Sequence, residues 1–177
     1  MPRPTPPRLD LVVAVSAVVI SLCALGVSVY EARVLRSQER AAVWPYVEVG
    51  ARYTGDGFAL VARNQGTGPA RVREVRVSRG ARIYGDWDEV VDEALVPTYG
   101  PDHGVTYALY RTSGLARSVL SPGEERVLFA VPWTDTTRAL VDRVGDLRVD
   151  ACYCSVLGEC WTVGRGEEPT PGRCAMP

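Results

Sequence analysis

The sequence has no lysine, and its only histidine is His103; all 20 of its positively charged side chains are arginines. A chain without lysine cannot build a Walker A loop, a Ser-Lys dyad or a Schiff base on a lysine amine. A single histidine cannot supply an H-E-x-x-H motif or a metal site made of several imidazoles. Several large enzyme classes are therefore excluded by residue type alone.

The histidine and the paired acids that remain have structural explanations. His103 lies in a Gly-Pro-Asp-His-Gly loop without a nucleophile-elbow motif, and we interpret it as an exposed loop histidine. Asp86 and Asp88 begin a predicted helix, and Glu124 and Glu125 occupy a turn, where acids are common for structural reasons. We predict no catalytic residue, no metal and no cofactor.

The charge balance argues against nucleic acid as a partner. Residues 1–43 contain five arginines and three acids, whereas residues 44–177 contain fifteen arginines and eighteen acids. The second part therefore carries a net charge of −3 (15 − 18). Binding to a phosphate backbone generally requires a strongly basic balance, so we predict no nucleic-acid partner.

One long apolar run lies near the N-terminus. It begins at Leu11 and ends at Val29, and its nineteen residues include no charge and no proline. At about 1.5 Å per helical residue the run is about 28 Å long, close to the hydrocarbon thickness of a bilayer. We predict a transmembrane helix over residues 9–30. The alternatives are a buried core helix, a cleaved secretory signal and, less well supported by its flanks, a lipoprotein signal at Cys23.

The segments on either side of the run complete the predicted anchor. Residues 1–8 form a proline-rich tail, which we place in the cytoplasm. Residues 31–43 are rich in helix formers, and Pro45 ends the helical pattern. They predict a juxtamembrane helical stalk, interpreted either as a solvated spacer or as a partner-binding coiled coil. Two arginines precede the run and three follow it, so the positive-inside rule hardly fixes the orientation.

Four cysteines are crowded near the C-terminus, at Cys152, Cys154, Cys160 and Cys174. A hairpin turning after Cys154 would bring it opposite Cys160 and leave Cys152 for Cys174. Two disulfides predict an oxidising compartment, and therefore a domain outside the cytoplasm. Unpaired structural thiols and a four-thiolate metal site are the alternatives, although the C-x-C spacing is not that of a zinc ribbon.

The periodicity changes from helix to strand after Trp44. Alternating apolar and polar residues, separated by turn residues, predict about seven short strands. A short helix is predicted over 86–95, and a helical turn over 134–144. We place the strands at 46–49, 58–62, 72–78, 105–110, 126–131, 146–156 and 160–163. The predicted fold is mainly β, an antiparallel sandwich with a short inserted helix, over residues 44–177.

Two motifs carry a family resemblance. N-Q-G-T-G-P-A at 64–70 leads into V-R-E-V-R-V, and L-S-P-G-E-x-x-x-L begins at Leu120. This succession of strand and turn residues resembles that of bacterial immunoglobulin-like sandwich domains of the CARDB type, over roughly residues 46–131. W-P-Y at 44–46 and Y-C-S-V-L-G-E-C-W at 153–161 resemble those of uncharacterised bacterial single-span membrane proteins. The resemblance implies an immunoglobulin-like architecture and brings no activity.

Five arginines fall within twelve residues of the third predicted strand and its following turn. We interpret them either as the solvated face of that strand or as a patch that contacts anionic headgroups or an acidic partner. They are Arg71, Arg73, Arg76, Arg79 and Arg82.

These features together predict a bacterial inner-membrane protein with a periplasmic domain. Its bilayer contact extends from Leu11 to Val29, and its function is that of a non-catalytic interaction or scaffolding module for an unknown protein partner. A thiol-based redox protein using Cys152 and Cys154 is one alternative. An accessory subunit of a membrane complex, facing the cytoplasm, is another.

Overall fold

A computed structural model of the chain describes residues 7–174. Most of the predicted cytoplasmic tail, residues 1–6, lies outside the described residues. The described residues form two compact units, divided between Ala41 and Ala42.

The first unit is a single long helix, α1, which covers Pro7–Ala42 in 36 residues. Its most apolar window has a mean hydropathy of 2.6, and none of that window is buried against protein. α1 is therefore long and apolar enough to cross a membrane, and it is not the core helix of a globular domain. It continues without interruption from the predicted span through the predicted stalk.

The serines inside the apolar run satisfy their own hydroxyls. Ser16, Ser21 and Ser28 each donate to a backbone carbonyl one turn earlier, at 2.9, 2.8 and 3.0 Å. A hydroxyl bonded within its own helix needs no water, which makes it compatible with a hydrocarbon environment.

The second unit contains two antiparallel sheets and two helices, a mixed α and β architecture. The elements are β1 Val47–Tyr53, β2 Gly57–Asn64, β3 Ala70–Arg79, β4 Arg82–Tyr84, α2 Trp87–Tyr99, β5 Val119–Leu120, β6 Glu125–Pro132, α3 Asp135–Val144, β7 Arg148–Cys154, β8 Cys160–Gly164 and β9 Thr170–Pro171. One sheet has the strand order β1-β2-β6, and the other has the order β4-β3-β7-β8-β9, with β5 paired to β3.

Both sheets contribute to one hydrophobic core. In β1 every second side chain faces this core: Val47 and Val49 are fully buried, while Glu48 between them is exposed. A hydrogen bond also joins the two sheets, since the amide of Val47 donates to the hydroxyl oxygen of buried Tyr153 on β7 at 3.2 Å. Burial raises the pKa of Tyr153, which keeps this phenol neutral.

Both helices begin at side-chain caps. Asp86 accepts from the amide of Glu89 at 2.9 Å, and the helix predicted over 86–95 is present and continues to Tyr99. Thr134 and Thr137 form a reciprocal capping box, so that the predicted helical turn is a complete ten-residue helix. The apolar faces of α2 and α3 both join the core.

The strand predicted over 105–110 is wrong. Val105 and Tyr110 are buried there, but the chain turns on itself, with the amide of Leu109 donating to the carbonyl of Thr106 at 2.8 Å. Alternating apolar residues imitated a strand because the Tyr110 ring packs beside Phe129 in the core, with ring centroids 5.4 Å apart. Three short strands, β4, β5 and β9, were not predicted, because two or three residues carry too little periodicity.

Candidate functional site

One disulfide connects the C-terminal segment to the larger sheet, and a second joins two strands within that sheet. Cys152 pairs with Cys174, and Cys154 pairs with Cys160, the same partners that the hairpin argument predicts. Cys154 and Cys160 are directly opposite each other in the β7–β8 pairing, so a disulfide can join them across the hairpin.

The two bridges lie against each other. The Sγ of Cys154 lies 3.8 Å from the Sγ of Cys174, and the Sγ atoms of Cys154, Cys160 and Cys174 are all within 4.8 Å of one another. Three thiolates at this spacing would suit a soft metal ion, but in the disulfide state none of these sulfurs is a thiolate. The cluster can instead support thiol–disulfide exchange if a reductant opens one bridge.

The sulfurs border a cleft of about 710 Å³, which we call the arginine cleft. Four arginines line it, and no acidic side chain does. Its lining is Arg71, Val72, Arg73, Arg117, Ser118, Val119, Cys154, Cys160, Arg173 and Cys174.

β3 supplies two of these arginines to the same surface. Arg71 and Arg73 are exposed, while Ala70 and Val72 between and beside them are buried. The pairing of β3 with β7 shifts register after Val72, so Arg73 is the extra residue of a β-bulge. Arg71 and Arg73 share the outer face because they are two positions apart on the strand. The bulge changes the alternation after them, so that Val75 and Val77 pack against the core.

The segment before β5 supplies the third arginine. The carbonyl of Ser118 accepts from the amide of Val72 at 2.8 Å, and Val119 pairs with Arg71, which fixes this segment against β3. Arg117 has a φ of 59°, and it is the one non-glycine residue in the described chain with a positive φ. Such a conformation costs free energy, of order 1 kcal/mol, and is enriched at functional sites.

The C-terminal disulfide places the fourth arginine. Cys174 is bonded to Cys152 on β7, and the amide of Gly172 donates to the carbonyl of Cys160 at 3.0 Å. Arg173 lies between these two attachments, and so it is held at the cleft although it is exposed.

The five clustered arginines of the sequence therefore separate into two groups. Arg71 and Arg73 line the cleft, whereas Arg76 pairs with Glu74 at 2.6 Å. Arg79 and Arg82 both pair with a single acid on α2, at 2.8 and 2.7 Å. Sequence reasoning did not include Arg117 and Arg173, which lie far from the cluster in the chain and meet it only through β5 pairing and the Cys152–Cys174 bridge.

The acid that holds Arg79 and Arg82 is Glu93. Its Oε1 also accepts from the hydroxyl of Tyr84 at 2.7 Å, so that three side chains of the β3–β4 hairpin converge on α2. The Tyr84 hydrogen bond, followed by that from Arg79, lowers the pKa of Glu93 against the opposing effect of burial. Burial and the same bond to Glu93 raise the pKa of Tyr84.

We expect Glu93→Gln to destabilise the domain by about 1–2 kcal/mol at neutral pH, because it removes the charge from a partly buried ion-pair network. A lowered folded-state pKa contributes stability above the ordinary glutamate range, and this contribution is lost as the pH falls through the folded pKa. Urea unfolding at pH 7 and at successively lower pH should therefore give a difference from the wild type that shrinks as the pH falls below the ordinary glutamate range. An equal difference at both pH values would contradict the role of the charge.

His103 differs from the expected exposed loop histidine. Its side chain is only 5% exposed, and its Nε2 lies 3.0 Å from Oδ1 of Asp92 on α2. The amide of Val105 donates to Nδ1 at 3.2 Å, so Nε2 carries the proton and donates it to Asp92. The bond from Nε2 holds the loop against α2, and the bond at Nδ1 fixes the ring within the loop.

The paired acids have structural partners in the described chain. Asp86 caps α2, and Asp88 accepts from the hydroxyl of Tyr110 at 2.6 Å. Burial, followed by this bond, raises the pKa of Tyr110. Glu124 accepts from the amide of Ser121, which together with Arg126 lowers its pKa. In neither pair do the two carboxylates act together, because each of these three acids is bonded to a different group.

No protein-family model matches the chain, and neither the curated proteins nor the solved structures contain a significant match to it.

Proposed function

We propose that the chain is a membrane-anchored interaction module, with α1 in a bacterial inner membrane and the second unit outside the cytoplasm. The observation that carries the proposal is the combination of one exposed, apolar helix and two disulfides in the same chain. Structural disulfides persist in oxidising compartments and are rare in the cytoplasm.

α1 supports the anchor by more than its length. Its apolar residues are exposed along the run, and its serine hydroxyls are bonded internally. Exposed apolar surface on this scale is costly in water and favourable in lipid. An uncleaved anchor also agrees with the helix continuing well past the apolar run, to Ala42.

The architecture of the second unit supports an interaction role. We propose that its two antiparallel sheets form an immunoglobulin-like sandwich around their common core. The histidine and two of the paired acids are occupied: Asp86 by a helix cap, His103 by a loop contact and Glu124 by an ion pair. We therefore expect a partner to bind the surface of the domain. The arginine cleft is a candidate contact because four arginines and no acid line it.

The oxidation state of the cysteines in cells tests the proposal. Free thiols are blocked with N-ethylmaleimide during lysis, the protein is denatured and reduced, and polyethylene-glycol maleimide then counts the thiols that reduction released. We expect four mass increments from the full chain, because Cys23 is the one free cysteine and is blocked in the first step. No increment would mean that the four cysteines are reduced in the cell, and would contradict the outside location.

Thiol–disulfide exchange is the second candidate function, and the 3.8 Å approach of the Cys154 and Cys174 sulfurs favours it. In this mechanism an external thiolate attacks one bridge, forming a mixed disulfide and releasing a protein thiolate that attacks the neighbouring bridge. The Cys160→Ser variant separates the two functions. A redox protein would accumulate mixed disulfides with other proteins, whereas a structural cluster would form none and would keep the Cys152–Cys174 bridge, with Cys154 as the free thiol.

A further inference from the structure

We propose that the arginine cleft binds phosphate groups carried by the partner of this domain. The inference rests on the proposed interaction function and names the chemistry of the surface that the partner presents. It begins from arginines that the fold itself leaves without a counter-charge.

Most arginines of the second unit are bonded to other side chains or to carbonyls. In residues 42–174, nine of them have an ion pair, a side-chain hydrogen bond or a ring contact. Six have none of these interactions, and four of the six line the arginine cleft. The six are Arg63, Arg71, Arg73, Arg111, Arg117 and Arg173.

The grouping is costly unless something compensates for it. Guanidinium groups remain charged at any physiological pH, so four of them around one cleft repel each other and cannot relieve the repulsion by losing protons. Strand pairing fixes two of the three chain segments that supply them, and a disulfide fixes the third. One of these residues, Arg117, has a left-handed backbone. An anion bound in the cleft would supply the missing counter-charge.

The geometry points to phosphate. Arginine presents a planar fork of donors that matches the oxygens of a phosphate, and such charge-assisted pairs are among the strongest hydrogen bonds in proteins. The cleft of about 710 Å³ is much larger than a single ion, and it accommodates a segment that carries more than one phosphate. Val119, which is half exposed, adds apolar surface for the groups that connect the phosphates.

The arginine cleft is positively charged, whereas the domain as a whole is negatively charged. Residues 44–177 carry a net charge of −3, which opposes non-specific attraction to polyanions. Binding should therefore be confined to the cleft. This gives the proposal a matched control, because Arg63 and Arg111 are also without side-chain partners but lie away from the cleft, on β2 and beside β6.

The test uses the full chain in an uncharged detergent at 150 mM salt, with inorganic tripolyphosphate as the probe in a calorimetric titration. We expect saturable binding with one site per chain. Arg71→Gln/Arg117→Gln should weaken it at least tenfold, and Arg63→Gln/Arg111→Gln, with the same change in charge, should weaken it less than threefold. All of these side chains are exposed, so the unliganded variants should keep the wild-type melting temperature within a few degrees.

A second probe identifies the source of the phosphate. Glycerophosphoglycerol, the headgroup of an anionic phospholipid without its acyl chains, should also bind saturably, and lose that binding in Arg71→Gln/Arg117→Gln, if the cleft takes lipid headgroups. Binding of tripolyphosphate alone assigns the cleft to a phosphate polymer or a phosphorylated partner. Either result supports the proposal.

Two outcomes would overturn it: no saturable binding of either probe by the wild type, or equal loss in the two double variants. Neither outcome bears on the membrane orientation of the domain, which is measured separately. Conversely, binding confined to the cleft would stand even if the domain were found on the cytoplasmic side.

Discussion

Asn64→Ala should lower the free energy of unfolding of the second unit by about 3–5 kcal/mol. Asn64 is fully buried, and its Oδ1 accepts from the amides of Tyr46 and Gly66 at 3.2 and 3.0 Å. Its Nδ2 donates to the carbonyls of Gly68 and Leu120 at 2.8 and 3.0 Å. Truncation to alanine removes all four bonds and leaves four backbone groups without those partners, which costs more than the bonds themselves contribute.

Denaturant unfolding followed by tryptophan fluorescence measures this effect in the full chain. All four tryptophans, at positions 44, 87, 133 and 161, lie in the second unit, so the signal comes from the domain and not from α1. Gln65→Ala is the control at the adjacent position. Gln65 is exposed and bonds to Glu48, so this substitution should cost less than about 1 kcal/mol. Similar costs at the two positions would show that Asn64 does not organise the turn.

The paired variant Cys152→Ser/Cys174→Ser should destabilise the domain by about 3 kcal/mol, and Cys154→Ser/Cys160→Ser by about 2 kcal/mol. The difference follows from loop length, since the two bridges join residues separated by 22 and 6 positions. A bridge that closes a longer loop removes more conformations from the unfolded chain. The same unfolding measurement under non-reducing conditions gives both values.

The order of the two values is the discriminating result. If the short Cys154–Cys160 bridge contributes more than the long one, its contribution comes from native contacts between β7 and β8 and not from the unfolded state. The double substitution Cys152→Ser/Cys174→Ser should also weaken tripolyphosphate binding, because it releases Arg173 from β7. The double substitution Cys154→Ser/Cys160→Ser leaves the segment of Arg173 attached and should not weaken binding in this way.

The parts of the fold that could be predicted are those that a local pattern specifies. Each such pattern is contained in the element that it predicts or in the residue beside it. Examples are the apolar–polar alternation of β1, β2, β3 and β6 and the capping residue at the start of α2. The run from Leu11 to Val29 predicts the helix by length alone, and the structure adds that its serines are bonded internally. The cysteine spacing indicated both pairs because Cys154 faces Cys160 across a hairpin, which leaves Cys152 for Cys174.

The remaining features depend on contacts between distant segments. The motif N-Q-G-T-G-P-A indicated a turn, but the buried role of its first residue depends on Leu120, 56 positions later. The arginine cleft likewise combines β3 with Arg117 and Arg173, and no sequence pattern connects these positions. The segment 105–110 has the sequence pattern of a strand because a buried aromatic on a turn gives the same apolar alternation.

The orientation of the domain is the central claim, and reporter cysteines test it most directly. In a Cys23→Ser background, one reporter is placed by Arg36→Cys, in the exposed part of α1 beyond the apolar run, and another by Thr5→Cys, before it. A maleimide that cannot cross membranes is applied to intact spheroplasts and to permeabilised ones. The account predicts labelling of Arg36→Cys in intact spheroplasts and of Thr5→Cys only after permeabilisation. The reverse pattern would place the domain in the cytoplasm, as in an accessory subunit facing that side, and would contradict the account.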